Sequence, residues 1–180
     1  MNIILFGFKS CGKSTIGKHV AEQLQRPFID TDQGVERLHF RRTGQKMNYR
    51  NIYKTLGEDA FRALESDVVE QLKDQKRAII AVGGGLILDP KNQAALAKLG
   101  QLVYLKLDKE TLKKRILERA LPAYFDPADP EGSFEKMYTE RSKKYEEILA
   151  LPFDMETKTQ DQVATEVCAL IQRLESENGK

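Results

Sequence analysis

Short runs of consecutive apolar residues alternate along this chain with longer stretches in which apolar residues return every third or fourth position. The runs are Asn2-Ile3-Ile4-Leu5-Phe6, Phe28-Ile29-Asp30, Ala78-Ile79-Ile80-Ala81-Val82, Leu102-Val103-Tyr104-Leu105 and, more weakly, Phe153-Asp154-Met155. Unbroken apolarity of this length predicts strands covered on both faces. Between them, Ile16, Val20, Ala21 and Leu24 mark one helix face, and Phe61, Leu64, Val68 and Leu72 mark a longer one. The same spacing predicts helices over residues 33–38, 58–73, 91–98, 109–119, 133–149 and 160–174. Strand and helix in alternation predict right-handed βαβ units and a parallel sheet flanked by helices. Binding sites in such a fold lie beyond the carboxyl ends of the strands. No internal repeat or low-complexity segment interrupts the pattern.

Composition narrows the class. At 180 residues, with 41% hydrophobic and 31% charged residues, the chain suits one compact domain and not a disordered one. A formal net charge of +2 is too small to imply a nucleic-acid or membrane surface, so neither partner is expected. Arg41-Arg42 and Lys113-Lys114-Arg115 read as solvated helix faces. The chain enters a strand at Asn2 with no basic leader or spanning segment in view, and its two cysteines, Cys11 and Cys168, suggest no disulfide framework. A cytoplasmic location is therefore expected. Cys168 falls among Val163, Val167 and Ile171 and reads as core.

The candidate chemistry begins just after the first strand. Gly7-Phe8-Lys9-Ser10-Cys11-Gly12-Lys13-Ser14 has a glycine at each end and a Lys-Ser finish, between a predicted strand and a predicted helix. In such a loop the glycines let backbone N–H groups turn inward onto phosphate oxygens, Lys13 places a cation on the β/γ-phosphates, and Ser14 offers a hydroxyl to Mg²⁺. Cys11 is a small residue in this loop, and its thiol, near a helix N-terminus, is expected to react with alkylating agents unless ATP shields it.

Other strand ends carry groups that suit the same site. The second strand runs into Asp30-Thr31-Asp32 and the third into Gly83-Gly84-Gly85. Two carboxylates at this spacing could serve a metal's water shell and an attacking hydroxyl separately. Their structural alternatives are a helix N-cap for Asp32 and a turn former for Asp30. Three successive glycines let a ligand approach the backbone, where a flexible turn would need fewer. Arg62 and Glu65, three apart on a helix, could form a fork for a carboxylate with Glu65 as its anchor, or a plain surface ion pair.

Taken in order, these segments resemble the shikimate kinases, a branch of the nucleoside-monophosphate-kinase-like P-loop proteins. The resemblance runs from Asn2 to about Leu174 and includes Gly57 to Glu65 and a late Arg141 in Glu140-Arg141-Ser142-Lys143-Lys144-Tyr145. It implies a three-layer α/β/α P-loop fold with a five-stranded parallel sheet and a mobile lid. Residues 1–180 would be a single kinase domain, with shikimate-binding helices over 33–75 and a lid over 115–133. The implied reaction moves the ATP γ-phosphoryl group to the 3-hydroxyl of shikimate, in aromatic amino acid biosynthesis, with Mg²⁺ as cofactor and a monomeric enzyme.

By the resemblance, Lys13, Asp32 and Arg119 would be catalytic. ATP would contact Gly7, Lys9, Ser10, Cys11, Gly12, Lys13, Ser14, Thr15, Arg115 and Arg119. Shikimate would meet Asp32, Arg62, Gly83, Gly84, Gly85 and Arg141, with Glu65 orienting Arg62, and with Tyr53 and Phe61 as aromatic walls. Ser14 would hold the metal directly and Asp30 through water. The chain departs from the family pattern in two places. Arg119 is followed by Ala120-Leu121 before Pro122, where the family's lid arginine usually precedes proline directly. The loop Thr157-Lys158-Thr159-Gln160-Asp161 lacks the arginine and proline often seen near the adenine, so adenine contacts there are expected to be mainly backbone. Two other readings use the same residues: a related kinase acting on another hydroxylated acid, such as gluconate, and a nucleotide-binding module without turnover.

Overall fold

The computed structural model describes residues 1–119, 121–156 and 158–178. Ala120 of the expected lid, Thr157 of the expected base loop and the last two positions of the expected domain lie outside the described residues. In chain order the elements are β1 (Asn2–Phe6), α1 (Lys13–Leu24), β2 (Phe28–Asp30), α2 (Thr31–Thr43), α3 (Tyr49–Leu56), α4 (Glu58–Glu70) and β3 (Ile79–Ala81). A 3₁₀ turn (Leu86–Leu88) leads into α5 (Pro90–Leu99), β4 (Gly100–Lys106), α6 (Lys109–Leu117), α7 (Pro130–Glu147), β5 (Leu151–Asp154) and α8 (Gln160–Asn178).

The five strands form one parallel sheet in the order β2-β3-β1-β4-β5. β1 lies at the centre because its run Ile3 to Phe6 is apolar enough to be covered on both faces, and all four of those residues are fully buried. Helices flank this sheet, α1 packed on α8 and α4 on α5. A second, smaller apolar cluster joins Val35 and Leu38 of α2, Ile52 of α3, and Phe61, Leu64 and Val68 of α4. This lobe stands over the carboxyl end of β2, within the expected 33–75 segment.

Several boundaries differ from the periodicity. Helix α2 starts at Thr31, because the Asp30 side chain accepts from Asp32 N at 2.9 Å and caps it. Asp30, not Asp32, is the N-cap, and Asp32 is carried inside the first turn. Helix α3 lies within the expected 33–75 helical segment but is not among the helices that the periodicity predicts. Asn48 caps it through Asn51 N at 2.9 Å, and its one fully buried residue, Ile52, faces the small cluster. The expected helix at 133 starts earlier, at Pro130, where Asp129 caps it and proline suits the first turn. The expected helix at 109–119 stops at Leu117, which leaves Arg119 beyond its end.

Candidate active site

The loop from Gly7 to Gly12 turns back at the carboxyl end of β1. Gly7 has φ +146°, and a Cβ there would lie 2.7 Å from the Leu105 carbonyl oxygen of β4, so only glycine lets the loop pass this close to the sheet. Gly12 also has a left-handed φ, +115°, and opens α1. Lys13 folds back over the loop and donates to the Gly7 and Phe8 carbonyls at 3.1 and 2.8 Å. Ser14 Oγ donates to Asp30 Oδ2 at 2.6 Å, which brings the two expected metal-binding oxygens side by side.

A cavity of about 270 Å³ opens over this loop. From the loop and α1 it is lined by Lys9, Ser10, Gly12, Lys13, Ser14 and Thr15. Asp32, Tyr53, Phe61, Arg62, Glu65, Gly83 to Gly85, Arg119 and Arg141 complete most of the wall. Thus residues far apart in sequence meet where the strand ends converge.

Not every expected residue reaches it. Gly7 shapes the loop from below. Cys11 is buried, with its sulfur toward Gly7 inside the main core, so an alkylatable thiol is not what the fold presents. Arg115 lies on α6 within electrostatic range of Asp108, outside the cavity lining. Lys158, on the expected base loop, pairs with Glu166 at 2.7 Å. Gly83 lines the cavity, but its N–H is donated to Thr31 Oγ1 at 2.9 Å, so it contributes wall and not a free donor.

Around the glycines the charges are arranged in pairs. Arg62 Nη1 donates to Glu65 Oε2 at 2.6 Å and Nη2 to Glu58 Oε1 at 3.3 Å. Arg141 projects from α7 and stacks on the Tyr124 ring with its guanidinium 4.8 Å from the centroid. One turn later on α7, Tyr145 donates to the Gly84 carbonyl at 2.7 Å, which fixes the glycine segment against that helix. A Cβ on Gly83 would meet Asp32 Oδ1 at 2.9 Å and Glu65 Oε1 at 3.1 Å, so two carboxylates face one backbone position.

This proximity and burial set their protonation. Burial, reinforced by the charge of Asp30, pushes the Asp32 carboxyl up to about 6. Burial also pushes Glu65 up to about 7, and it outweighs the nearby Arg62 guanidinium that pulls the other way.

Sequence reasoning missed several lining residues. Tyr49 and Arg50 belong to α3, while Pro122, Ala123 and Tyr124 come from the expected lid segment. A signal for the first pair was present: Asn48 as N-cap, Gly57 as stop, and Tyr49, Ile52 and Tyr53 at helical spacing. No local pattern could place Tyr124 against Arg141, since that contact depends on how the chain returns after α6.

A five-stranded parallel sheet with this glycine loop at its central strand defines an α/β P-loop fold, and the basic cavity beside the loop is of the kind small-molecule kinases use. The shikimate kinase family model matches residues 9–172. A shikimate kinase of Caldanaerobacter subterraneus subsp. tengcongensis is 35% identical over 166 residues, covering 92% of this chain and 93% of that protein. The structure of the Acinetobacter baumannii shikimate kinase in complex with shikimate superposes with a TM-score of 0.80 at 29% identity, covering 96% of this chain and 93% of that one. A gluconokinase from Sinorhizobium meliloti shares the fold at a TM-score of 0.61 and 17% identity, covering 98% of this chain and 94% of that one. The chain belongs to the shikimate kinase family. Among the described residues, no helix is long and apolar enough to cross a membrane.

Proposed function

We propose that this protein transfers the γ-phosphoryl group of ATP to the 3-hydroxyl of shikimate, giving shikimate 3-phosphate and ADP, within aromatic amino acid biosynthesis. The observation that carries the reading is the meeting of Arg62 and Arg141 at Gly83 to Gly85, across from Asp32 and beside Lys13. Two guanidiniums match a carboxylate, and Asp32 matches a ring hydroxyl. The Gly84 and Gly85 amides would add donors beside the Arg62 and Arg141 guanidiniums, which pack against this glycine backbone.

Lys13 exchanges its two loop carbonyls for phosphate oxygens and stabilises the charge on the group in flight. Asp32 accepts the proton of the 3-hydroxyl as that oxygen attacks phosphorus and the bond to the β-phosphate oxygen breaks. A carboxyl raised to about 6 is a stronger base than an ordinary one and is still ionised at neutral pH. Glu65 holds Arg62, and Tyr53 and Phe61 wall the ring, their own rings 5.4 Å apart and edge to face. Ser14 and Asp30 offer only oxygen, which suits Mg²⁺, with Ser14 as direct ligand and Asp30 acting through water. Mg²⁺ held there would neutralise charge on the β- and γ-phosphates.

Arg119 borders the cavity and is assigned to the phosphates, with Arg115 left to the nucleotide's outer edge. Residues 1–180 act as one domain, 33–75 as the acceptor lobe and 115–133 as a lid that excludes water. A cytoplasmic monomer is the form proposed. A coupled ADP-release assay with shikimate, gluconate, nucleoside monophosphates and no acceptor tests the reading. Turnover is expected with shikimate. Turnover with gluconate alone, or none above the acceptor-free rate, would reject it.

A further inference from the structure

Lys9 was expected among the nucleotide contacts, but its side chain leaves the loop toward α3. Its Nζ donates to the Tyr49 hydroxyl at 2.7 Å and lies 5.3 Å from the centre of that ring. Arg50 uses the same tyrosine, with Nε donating to the hydroxyl at 3.3 Å and the guanidinium 5.6 Å from the ring centre. Among the described residues neither cation has a carboxylate within ion-pair distance. Two like charges therefore share one tyrosine hydroxyl, and both line the cavity. Coulomb repulsion between them, screened in part by solvent, would be relieved further by an anion placed between or beside them.

The position indicates which anion. Lys9 belongs to the phosphate loop, yet it faces the acceptor lobe, and its charge acts on Asp32 from across the cavity. Lys13, four residues on, is turned to the loop's own carbonyls. The space near Lys9 thus lies between the loop and the carboxylate proposed to take the hydroxyl proton. An acceptor hydroxyl there is neutral before transfer and bears a phosphate dianion after it.

We infer that Lys9 and Arg50, gathered on Tyr49, form the subsite that receives the new phosphate ester, so that they recognise the phosphoryl group once it is on the acceptor and not the α- and β-phosphates that remain with ADP. This rests on the proposed reaction. Before transfer the tyrosine holds the two cations in place; after it, Lys9 moves its hydrogen bond from phenol to phosphate oxygen.

The test is calorimetric titration of shikimate, shikimate 3-phosphate and ADP into the unaltered enzyme, Lys9→Met and Lys9→Arg, alongside steady-state turnover. Charged hydrogen bonds of this kind support an expected loss of product affinity of roughly ten- to hundredfold in Lys9→Met. ADP and shikimate affinities should stay within about twofold. Lys9→Arg should recover most of the product affinity, because the charge is kept. Unchanged product affinity in Lys9→Met, or an equal loss for ADP, would overturn the assignment. If the unaltered enzyme does not phosphorylate shikimate, the acceptor reading fails, and this inference fails with it.

Discussion

Asp32 bears the most informative tension of any single residue. A carboxyl with its proton held up to about 6 in the folded state, but released near the usual carboxylate value in the unfolded chain, makes the folded protein the stronger proton binder between those limits. Stability from this group therefore falls as pH rises from about 4 through about 6, and at pH 8 the folded state bears the full cost. Asp32→Asn removes that cost. The variant is expected to unfold at higher denaturant at pH 8, by about 1–3 kcal/mol, and to match the parent below pH 4. Its turnover should fall by orders of magnitude, while the parent's kcat/KM should lose activity on the acid side of about pH 6. A variant no more stable than the parent at pH 8 would mean that burial does not raise this carboxyl. At this scale much was legible, since Asp30, Asp32 and Arg62 advertise themselves by type and spacing. Their division of labour was not: only the backbone path decides that Asp30 caps α2 while Asp32 turns to Gly83.

Among the elements, the phosphate loop and β1 were readable because both depend on local sequence: apolar run, glycine, glycine, lysine, serine. Helix α3 was harder to read: its ends are marked by Asn48 and Gly57, but only Ile52 is buried there, and its apolar cover comes from packing between the neighbouring helices α2 and α4. The glycine segment after β3 was visible as a string, but its use depends on neighbours. Gly85 has an ordinary right-handed φ, so alanine fits its backbone. A Cβ there would nevertheless fall 2.8 Å from Arg62 Cζ, with both terminal nitrogens as close or closer. Gly85→Ala is thus expected to displace the guanidinium from Glu65 and to raise KM for the acceptor about tenfold or more, with KM for ATP little changed. Equal effects on both constants would point to a general disturbance instead.

For the whole molecule, the shared direction of the parallel strands gathers the cavity-lining groups at the carboxyl end of the sheet and leaves the amino end to be held by other contacts. Asn2 shows what that end requires. Its buried side chain donates to the Gln75 and Leu99 carbonyls at 2.7 and 2.9 Å and accepts from Ala78 N at 2.9 Å. One amide thereby ties the start of β1 to the approach to β3 and the end of α5. In the sequence Asn2 looks like the polar edge of an apolar run, and nothing local reveals three long-range partners. Asn2→Ala strands those backbone groups and is expected to cost about 2–4 kcal/mol, read as a lower denaturant midpoint at unchanged slope. Michaelis constants should not move, because the cavity lies at the opposite end of the strands.

On the proposed reading of the site, the bond from Arg62 to Glu58 gives acceptor binding at this wall the character of an exchange. The guanidinium fork is already occupied by the protein's own carboxylates, one nearly buried at Glu65 and one exposed at Glu58. An incoming carboxylate that engages Nη2 displaces Glu58 into water, trading one ion pair for another of similar strength. Little net attraction is gained at Arg62 by charge alone. A ligand anion that meets only Arg62 competes against a tethered rival, whereas one that also reaches Arg141 gains a partner Glu58 does not occupy. On the same reading, the resident glutamate would bias this wall modestly against small stray anions and toward a ligand able to span both arginines.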